Sequence, residues 1–182
     1  LNISSAMATD SFLVDWALAG ERDLDAITQY LRTLREKYGY FSTFFVSART
    51  GAYYHPEGIL KYISRSDSHD VWYYRFADSG LDYDLDVDTN EAAENRLTIF
   101  INYRLTDFSG EFLGVTGVGL EMEGFSGFLA ENAARYHRRI FLTDPEGVIQ
   151  AHSETALIEA ASIHDLPGIS GVAEILLRKG TG

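Results

Sequence analysis

Two neighbouring segments with the alternation of β-strands constrain the fold more than any other part of this chain. Between Leu97 and Leu105 the odd-numbered residues are apolar or aromatic, and the even-numbered residues are partly polar. A period of two residues is typical of a strand with two different faces. Thr106 to Gly110 supplies turn residues, and Glu111 to Leu120 follows as a second apolar segment. We therefore predict an antiparallel pair of strands within a sheet.

The second of these strands is rich in glycine. Gly114, Gly117 and Gly119 interrupt its apolar residues. Glycine inside a strand marks the close approach of another backbone, or room for a bulky neighbour. Because the run lies inside a strand rather than at a strand-to-helix turn, it does not indicate a dinucleotide-binding loop.

The N-terminal segment has the 3.6-residue period of a helix. Apolar residues recur at steps of three and four from Asn2 to Leu18 and again from Asp23 to Lys37, with Gly20 between the two stretches. We predict one long helix with a break near Gly20. Its apolar stripe is expected to pack on the sheet, and a dimer interface is the alternative.

Two hairpin patterns occur at separate places in the chain. The first joins Phe41–Ser47 to Ala52–His55 through a turn that ends in glycine, and the second joins Arg139–Thr143 to Val148–His152 through Asp144-Pro145-Glu146-Gly147. This repeat predicts two related modules, of which the second lacks its closing strands.

The remaining patterns complete the predicted organisation. Glu121 to Tyr136 is predicted to be helical with a break at Gly124–Gly127, and Val172 to Lys179 forms a last helical piece. We expect an α+β fold with three parts: an N-terminal helix over residues 1–38, an antiparallel sheet module over 39–124, and a connecting helix with part of a second, smaller module over 125–182.

Composition excludes several classes of protein. The formal net charge is −12, which argues against binding nucleic acid or anionic lipid. The chain has no cysteine, so zinc-thiolate sites, disulfides and thiol chemistry are ruled out. It contains neither a membrane-spanning apolar run nor a signal peptide, and we expect it to be the soluble part of a membrane-anchored parent.

Catalytic, cofactor and metal patterns are not found in the sequence. The histidines lack metal-binding spacing, and no serine lies in a nucleophile elbow. The acidic tract resembles a calcium loop, but an EF-hand starting at Asp82 would need glycine and glutamate where Val87 and Ala93 stand. We therefore predict no enzyme activity, no cofactor and no metal. The tract is expected to be an acidic turn that keeps a sheet edge soluble.

Aromatic rings and carboxylates between positions 70 and 103 predict a ligand pocket. Asp67 or Ser68 is a candidate cap for a short helix with the Trp-Tyr-Tyr cluster, whereas an extended segment would place alternate residues on one face. Carboxylates only accept hydrogen bonds, and aromatic rings attract cations, so a cationic or hydroxyl-rich ligand is favoured. The predicted site residues are Asp70, Trp72, Tyr74, Tyr83, Asp86 and Tyr103.

Each of these residues also has a purely structural interpretation. Trp72 is a candidate core residue, with Asp70 as a cap or a solvated charge. Tyr83 and Asp86 are equally compatible with a solvated acidic loop. Tyr103 and Asn102 face opposite sides of their strand, so only one lines the pocket, and we select Tyr103.

Taken in order, several motifs resemble the double Cache sensor domains. These are extracytoplasmic, PAS-like modules of bacterial chemoreceptors, histidine kinases and diguanylate cyclases. The similarity extends over nearly the whole chain. It rests on the N-terminal helix, Phe44-Phe45-Val46-Ser47 with Gly51, Trp72-Tyr73, Asp86-x-x-Thr89, the Gly114–Val118 strand and the second hairpin turn.

The resemblance implies that a ligand binds in the membrane-distal module, between its sheet and the Trp-Tyr segment. In the amino-acid-binding subset, an arginine two positions before the tryptophan clamps the ligand carboxylate, and an aspartate near the end of the glycine-rich strand holds its ammonium group. This chain has Asp70 and Gly119 at those positions. An ordinary α-amino acid is therefore not the expected ligand.

The predicted function is signal input at the periplasmic side of an inner-membrane protein. A small molecule is the expected partner, with a homodimer through the N-terminal helix as a further prediction. A diguanylate cyclase or histidine kinase is the favoured output, ahead of a chemoreceptor. The alternative is a ligand-free PAS-like dimerisation or protein-interaction module, and a periplasmic hydrolase ranks third.

Overall fold

The computed structural model describes residues 2–93, 96–144, 146–158 and 160–178. The chain divides into two compact units, residues 1–120 and 121–182. The N-terminal helices belong to the same unit as the large sheet, and the division falls a few residues before the predicted boundary after 124. Pro145 and Lys179, predicted in the second hairpin turn and the last helix, lie outside the described residues.

The N-terminal segment forms three helices rather than one long helix with a single break. They are α1 (Asn2–Ala8), α2 (Ser11–Leu18) and α3 (Leu24–Tyr38). The extra break falls at Asp10, whose carboxylate accepts a hydrogen bond at 2.9 Å from the backbone N–H two residues further on and so starts α2. The expected break near Gly20 is present, with a φ of 104° at that glycine.

Six strands form one sheet: β1 (Ser42–Ser47), β2 (Ala52–His55), β3 (Gly58–Tyr62), β4 (Tyr83–Asn90), β5 (Arg96–Thr106) and β6 (Phe112–Glu121). Their spatial order is β3-β2-β1-β6-β5-β4. The helices and this antiparallel sheet confirm the predicted α+β fold. The predicted antiparallel pair is β5 and β6, which are neighbours in this order.

The acidic tract is a strand, not the turn or solvated loop that its composition suggested. β4 pairs with β5 along its whole length, from Tyr83 opposite Tyr103 to Asn90 opposite Arg96. Alternation in β4 gathers the aspartates on one face, with Asp86 opposite Phe100. Sequence patterning also missed strand β3, which follows directly after the first hairpin.

Both faces of the sheet are buried. Helices α1 to α3 cover one face, where Leu13, Ile27 and Leu31 pack with Phe45 in one apolar core. Phe44 points to the other face and belongs to a second core. The apolar stripe of the N-terminal helices therefore packs on the sheet, as the first of the two interpretations predicted.

A fourth helix, α4 (Val71–Ser79), covers the second face. A short 3-10 turn, Ser68–Asp70, precedes it, and the Asp67 carboxylate caps that turn. Gly80, with a φ of 71°, ends the helix. Arg104 of β5 donates hydrogen bonds at 2.9–3.1 Å to carbonyls in the last turn and so fixes α4 to the sheet.

The second unit contains a helix, a short hairpin and a C-terminal helix. These are α5 (Met122–Tyr136), β7 (Phe141–Thr143), β8 (Ile149–His152) and α6 (Ala173–Arg178). Strands β7 and β8 pair antiparallel, as the repeated hairpin pattern predicted. Helix α5 runs through the Gly124–Gly127 segment, so the predicted break there is absent.

Candidate functional site

A small cavity lies on the α4 side of the sheet. Its volume is about 30 Å³, which is room for water rather than for an organic molecule. The sheet contributes residues from β2, β4 and β5, and the segment leading into α4 closes the opposite side. The lining residues are Tyr53, His69, Trp72, Asp86, Asp88, Asn90, Glu91 and Phe100.

One buried ring holds the three aromatic walls of the cavity in place. Phe44, which is fully buried, meets Tyr53 at a centroid distance of 5.5 Å and both Trp72 and Phe100 at 6.0 Å. All three contacts are edge-to-face, the arrangement that aromatic quadrupoles favour. Burial, followed by the nearby carboxylates of Glu91 and Asp70, raises the pKa of Tyr53, so its hydroxyl stays neutral.

Asp86 brings a largely buried negative charge to the cavity wall. Arg75 Nη2 lies 2.9 Å from Asp86 Oδ1 and 3.6 Å from Asp84 Oδ2. Burial raises the pKa of Asp86, the guanidinium of Arg75 opposes that rise, and Asp84 and Asp88 add to it. The negative charge of these three carboxylates is therefore larger than the single positive charge of Arg75.

Lys61 of β3 connects the two sides of the cavity. Its Nζ lies 2.7 Å from Asp70 and 3.3 Å from Asp67, beside α4, and it also pairs with Glu91 at the end of β4. Burial disfavours the charged ammonium, but the hydrogen bonds to Asp70 and Glu91 outweigh burial, so the pKa of Lys61 is raised. This single ammonium ties both cavity walls together.

Asn90 presents a buried side-chain amide at the cavity wall. The residue is 2% exposed, and its Oδ1 accepts a hydrogen bond at 3.1 Å from the N–H of Ala92. Its Nδ2 is buried and has no hydrogen-bond acceptor among the described residues. A buried donor without an acceptor is costly, so this amide is a candidate for contact with a bound molecule.

The structure places two of the six predicted site residues, Trp72 and Asp86, on the cavity wall. Asp70 lies behind the wall: it is buried, pairs with Lys61 and accepts a hydrogen bond at 2.7 Å from the backbone N–H of Ser64. Tyr74 packs against the second core but does not line the cavity, and the Arg65 guanidinium lies 4.2 Å from its ring centroid. The prediction that alternate residues share a face does not hold here, because residues two apart on a helix point in nearly opposite directions.

Tyr83 and Tyr103 lie on the face of the sheet opposite the cavity. They are cross-strand partners whose rings stack at 5.5 Å, and Tyr103 packs on the core beneath the N-terminal helices. Tyr103, selected from the sequence as the pocket residue, therefore does not line this cavity, and neither does Asn102. Phe100, on the same face as Asn102, is the β5 residue that lines the cavity.

Sequence reasoning missed six of the lining residues. The spacing of the aspartates was a usable signal for Asp88, since it shares a strand face with Asp86. Local sequence carries no comparable signal for the others, because β2, β4 and α4 are brought together only by the sheet order. These residues are Tyr53, His69, Asp88, Asn90, Glu91 and Phe100.

Two further features bear on the kind of site. Within the described part of the chain, no group of three or more histidine, aspartate or glutamate side chains is arranged to hold a metal ion. None of the helices described in the structure is both long enough and apolar enough to cross a bilayer.

The fold is that of Cache-type, PAS-like sensor domains, which confirms the resemblance at the level of fold. No family model matches the sequence. Solved structures do match. The sensor domain of the V. cholerae histidine kinase DctB superposes with a TM-score of 0.58 at 18% identity, covering 95% of this chain and 65% of that one.

Two ligand-bound chemoreceptor domains have similar scores. The ligand-binding domain of the Pseudomonas aeruginosa amino acid chemoreceptor PctC, in complex with GABA, has a TM-score of 0.57 at 16% identity over 90% of this chain and 75% of that one. The domain of the Pseudomonas fluorescens chemoreceptor CtaA, in complex with L-alanine, has a TM-score of 0.60 at 19% identity over 88% and 67%. The chain thus spans about two thirds to three quarters of the length of these domains.

Proposed function

We propose that this chain is an extracytoplasmic ligand-sensing domain of a transmembrane signal-transduction protein, with its ligand site in the cavity beneath α4. The observation that carries the proposal is the position of the cavity. It lies between the sheet and the helix that bears Trp72, where the sensor-domain resemblance places a ligand. The complexes of PctC with GABA and of CtaA with L-alanine support a small organic molecule as the guest.

The ligand is proposed to be cationic or hydroxyl-rich. Asp70 stands where the amino-acid-binding relatives have a carboxylate clamp, and it is already paired with Lys61. Aromatic rings and carboxylates line the cavity, so an ammonium or hydroxyl group suits it better than a carboxylate does.

Ligand entry requires the cavity to open. Its volume of about 30 Å³ is an order of magnitude below that of pockets that hold organic ligands. The walls to be parted are the start of α4 and the end of β4, which Lys61 ties together. A ligand that binds the open arrangement better than the closed one would shift the population between them, which is the event a sensor has to report.

The parent protein is proposed to lie in the inner membrane, with this domain on the periplasmic side. A diguanylate cyclase or histidine kinase is proposed as its output, with a chemoreceptor as the third choice. The DctB likeness supports the kinase, and the PctC and CtaA likenesses support the chemoreceptor.

A homodimer through the N-terminal helices is also proposed. Their main apolar stripe packs on the sheet, so the interface would use the exposed apolar residues Phe12, Leu18 and Leu24. Sedimentation equilibrium of the unsubstituted chain and of the Leu24→Glu variant tests this. We expect a dimer for the unsubstituted chain and a monomer for the variant. A monomeric unsubstituted chain would contradict the proposal.

The second candidate function is a ligand-free PAS-like interaction module. The small cavity volume favours it, because a pocket filled by the chain's own side chains has no room for a guest. A thermal-shift screen with amines, organic acids, purines and sugars separates the two functions. A ligand at a hundred times its Kd adds about 2.7 kcal/mol of stability.

Trp72→Ala is expected to abolish any such shift, since Trp72 lines the cavity. Tyr83→Ala removes a ring from the opposite face of the sheet and is the matched control, with the shift retained. Asp70→Ala is less suitable, because it removes a buried partner of Lys61. If no compound stabilises the unsubstituted chain, the interaction module is favoured. If Trp72→Ala and Tyr83→Ala both respond like the unsubstituted chain, the ligand binds elsewhere.

A further inference from the structure

Given the proposed sensor function, on which this inference rests, we propose that the ligand is a compact amino alcohol, an organic ammonium ion that also carries a hydroxyl oxygen. Three independent properties of the cavity lead to this class: its charge, its aromatic walls and the buried amide of Asn90.

The charge of the cavity selects a cation. Asp86, Asp88 and Glu91 line it, and no lysine or arginine does so within the described residues. The nearby cations, Lys61 and Arg75, are each already paired with two or more carboxylates. An anionic ligand group would therefore meet carboxylates and no lining cation among the described residues, whereas an ammonium ion would be attracted by those carboxylates.

The protein already binds one ammonium group at the edge of this site. Lys61 Nζ is held between Asp70 and Glu91, and Glu91 also lines the cavity. When the walls part, Glu91 is released from Lys61, and its partly exposed carboxylate can pair with a different ammonium group through a charge-assisted hydrogen bond. A ligand ammonium ion supplies that group.

The aromatic walls suit the same group. Tyr53, Trp72 and Phe100 are held edge-on around Phe44, so their orientations are set before any ligand arrives. Ring faces attract an organic cation through their quadrupole. A neutral polyol would gain little from such walls.

The Asn90 amide adds the second requirement. Its Nδ2 is a buried donor without an acceptor in the described structure, on a residue that lines the cavity. An ammonium ion offers only donors, so the ligand must present an oxygen to satisfy this amide. A carboxylate oxygen would bring the wrong charge, and a hydroxyl oxygen meets both conditions.

Isothermal titration with four matched probes tests the assignment on the full chain. 2-Aminoethanol carries both groups, n-propylamine only the ammonium, 1,2-ethanediol only hydroxyls, and β-alanine an ammonium with a carboxylate. We expect 2-aminoethanol to bind, n-propylamine to bind about tenfold more weakly because Asn90 loses its acceptor, and the other two to give no binding heat.

Two variants test which side chains contact the ammonium and hydroxyl groups of the ligand. In Glu91→Gln the affinity for 2-aminoethanol is expected to fall about tenfold, the loss of one charge-assisted contact. In Asn90→Ala the preference for 2-aminoethanol over n-propylamine is expected to disappear. Glu36→Gln, an exposed change of the same type on α3, is the control and should bind like the parent. Should Asn90→Ala not fold, Glu91→Gln and the four probes still decide the question.

The outcomes separate this inference from the function beneath it. Binding of β-alanine or 1,2-ethanediol as tight as that of 2-aminoethanol, equal binding of n-propylamine, or no binding of 2-aminoethanol overturns the ligand class. So does an unchanged affinity in Glu91→Gln. In each case the sensor function stands if another compound stabilises the parent in a Trp72-dependent way, and it falls if none does.

Discussion

Glu21 is a buried carboxylate in the turn between α2 and α3. It has a φ of 58°, in the left-handed region that non-glycine residues seldom occupy. Its side chain is 3% exposed and accepts hydrogen bonds from Ser47 at 2.6 Å, Thr50 at 2.7 Å and Tyr54 at 2.9 Å. Arg49 completes the cluster at 3.2 Å. This one residue links the helical layer to the first hairpin.

We expect Glu21→Gln to lower the free energy of unfolding by about 2 kcal/mol, because a neutral amide accepts fewer and weaker hydrogen bonds than a carboxylate. Urea unfolding followed by tryptophan fluorescence measures the loss. Glu36→Gln, on the exposed side of α3, should change stability by no more than about 0.5 kcal/mol. Similar losses in both variants would contradict the structural role of Glu21.

The raised pKa of Asp86 sets the direction in which its contribution to the free energy of unfolding changes with pH. Because its pKa is raised in the folded protein, the folded state binds its proton more tightly than the unfolded chain does. Its favourable contribution is present below the unfolded pKa and is lost as pH rises through the folded pKa. We therefore expect Asp86→Asn to become more stable relative to the parent as pH rises from about 4 to about 7.

Thermal or urea unfolding of the parent and Asp86→Asn across that range measures the difference. Asp15→Asn, an exposed change on α2, corrects for the general effect of removing one negative charge from an acidic protein. A difference that stays flat with pH, or that falls as pH rises, would be evidence against a raised pKa at Asp86.

Among the elements, β6 depends on its glycines. A Cβ added at Gly117 would lie 2.2 Å from the carbonyl oxygen of Ile101 and 2.9 Å from the ring of Phe44. Since that oxygen belongs to the backbone of the neighbouring strand, it cannot move aside without shifting β5. The close approach predicted for the glycine-rich strand is present at this position.

Gly117→Ala is expected to destabilise the first unit by about 2 kcal/mol or more, by overpacking at the centre of the sheet. Both tryptophans lie in that unit, so fluorescence-detected urea unfolding reports on it. Gly124→Ala in α5 is the control, followed by circular dichroism because it lies in the second unit: nothing lies within 4 Å of its added Cβ, and no loss is expected. Equal stability of Gly117→Ala and the parent would show that β5 and β6 tolerate a wider separation.

At the scale of the whole molecule, the cavity and both apolar cores lie within one of the two units. Every lining residue falls between positions 53 and 100, inside the unit that spans residues 1–120. The core residues on both faces of the sheet belong to the same unit. The first unit therefore has what a domain needs to fold independently, and it contains the whole of the proposed ligand site.

We expect residues 1–121 alone, which retain all of β6, to unfold in one cooperative transition and to respond to the same stabilising compound as the full chain. Circular dichroism and the thermal-shift assay measure the two properties. A fragment that is unfolded, or folded but unresponsive, would show that the second unit is required.

Local patterning predicted much of the first unit. Alternation identified β5, the turn glycine identified the first hairpin, and the amphipathic stripe correctly packed the N-terminal helices on the sheet. It failed where residue preference opposed pairing: the acidic β4 has poor strand propensity, yet β5 supplies a partner along its whole length. The Asp10 break was hidden because a capping aspartate also fits inside an apolar helical pattern.

The sequence alone determined four of the six strands of the large sheet (β1, β2, β5 and β6), the helical character of the N-terminal segment, and the gathering of rings and acids between positions 70 and 103. Only the tertiary structure decided which of them share a cavity. Phe44 and Phe45 are adjacent and both fully buried, one on each face of the sheet. When both faces are apolar, alternation alone cannot tell which one α4 will cover, and that choice places Phe100 in the cavity and Tyr103 outside it.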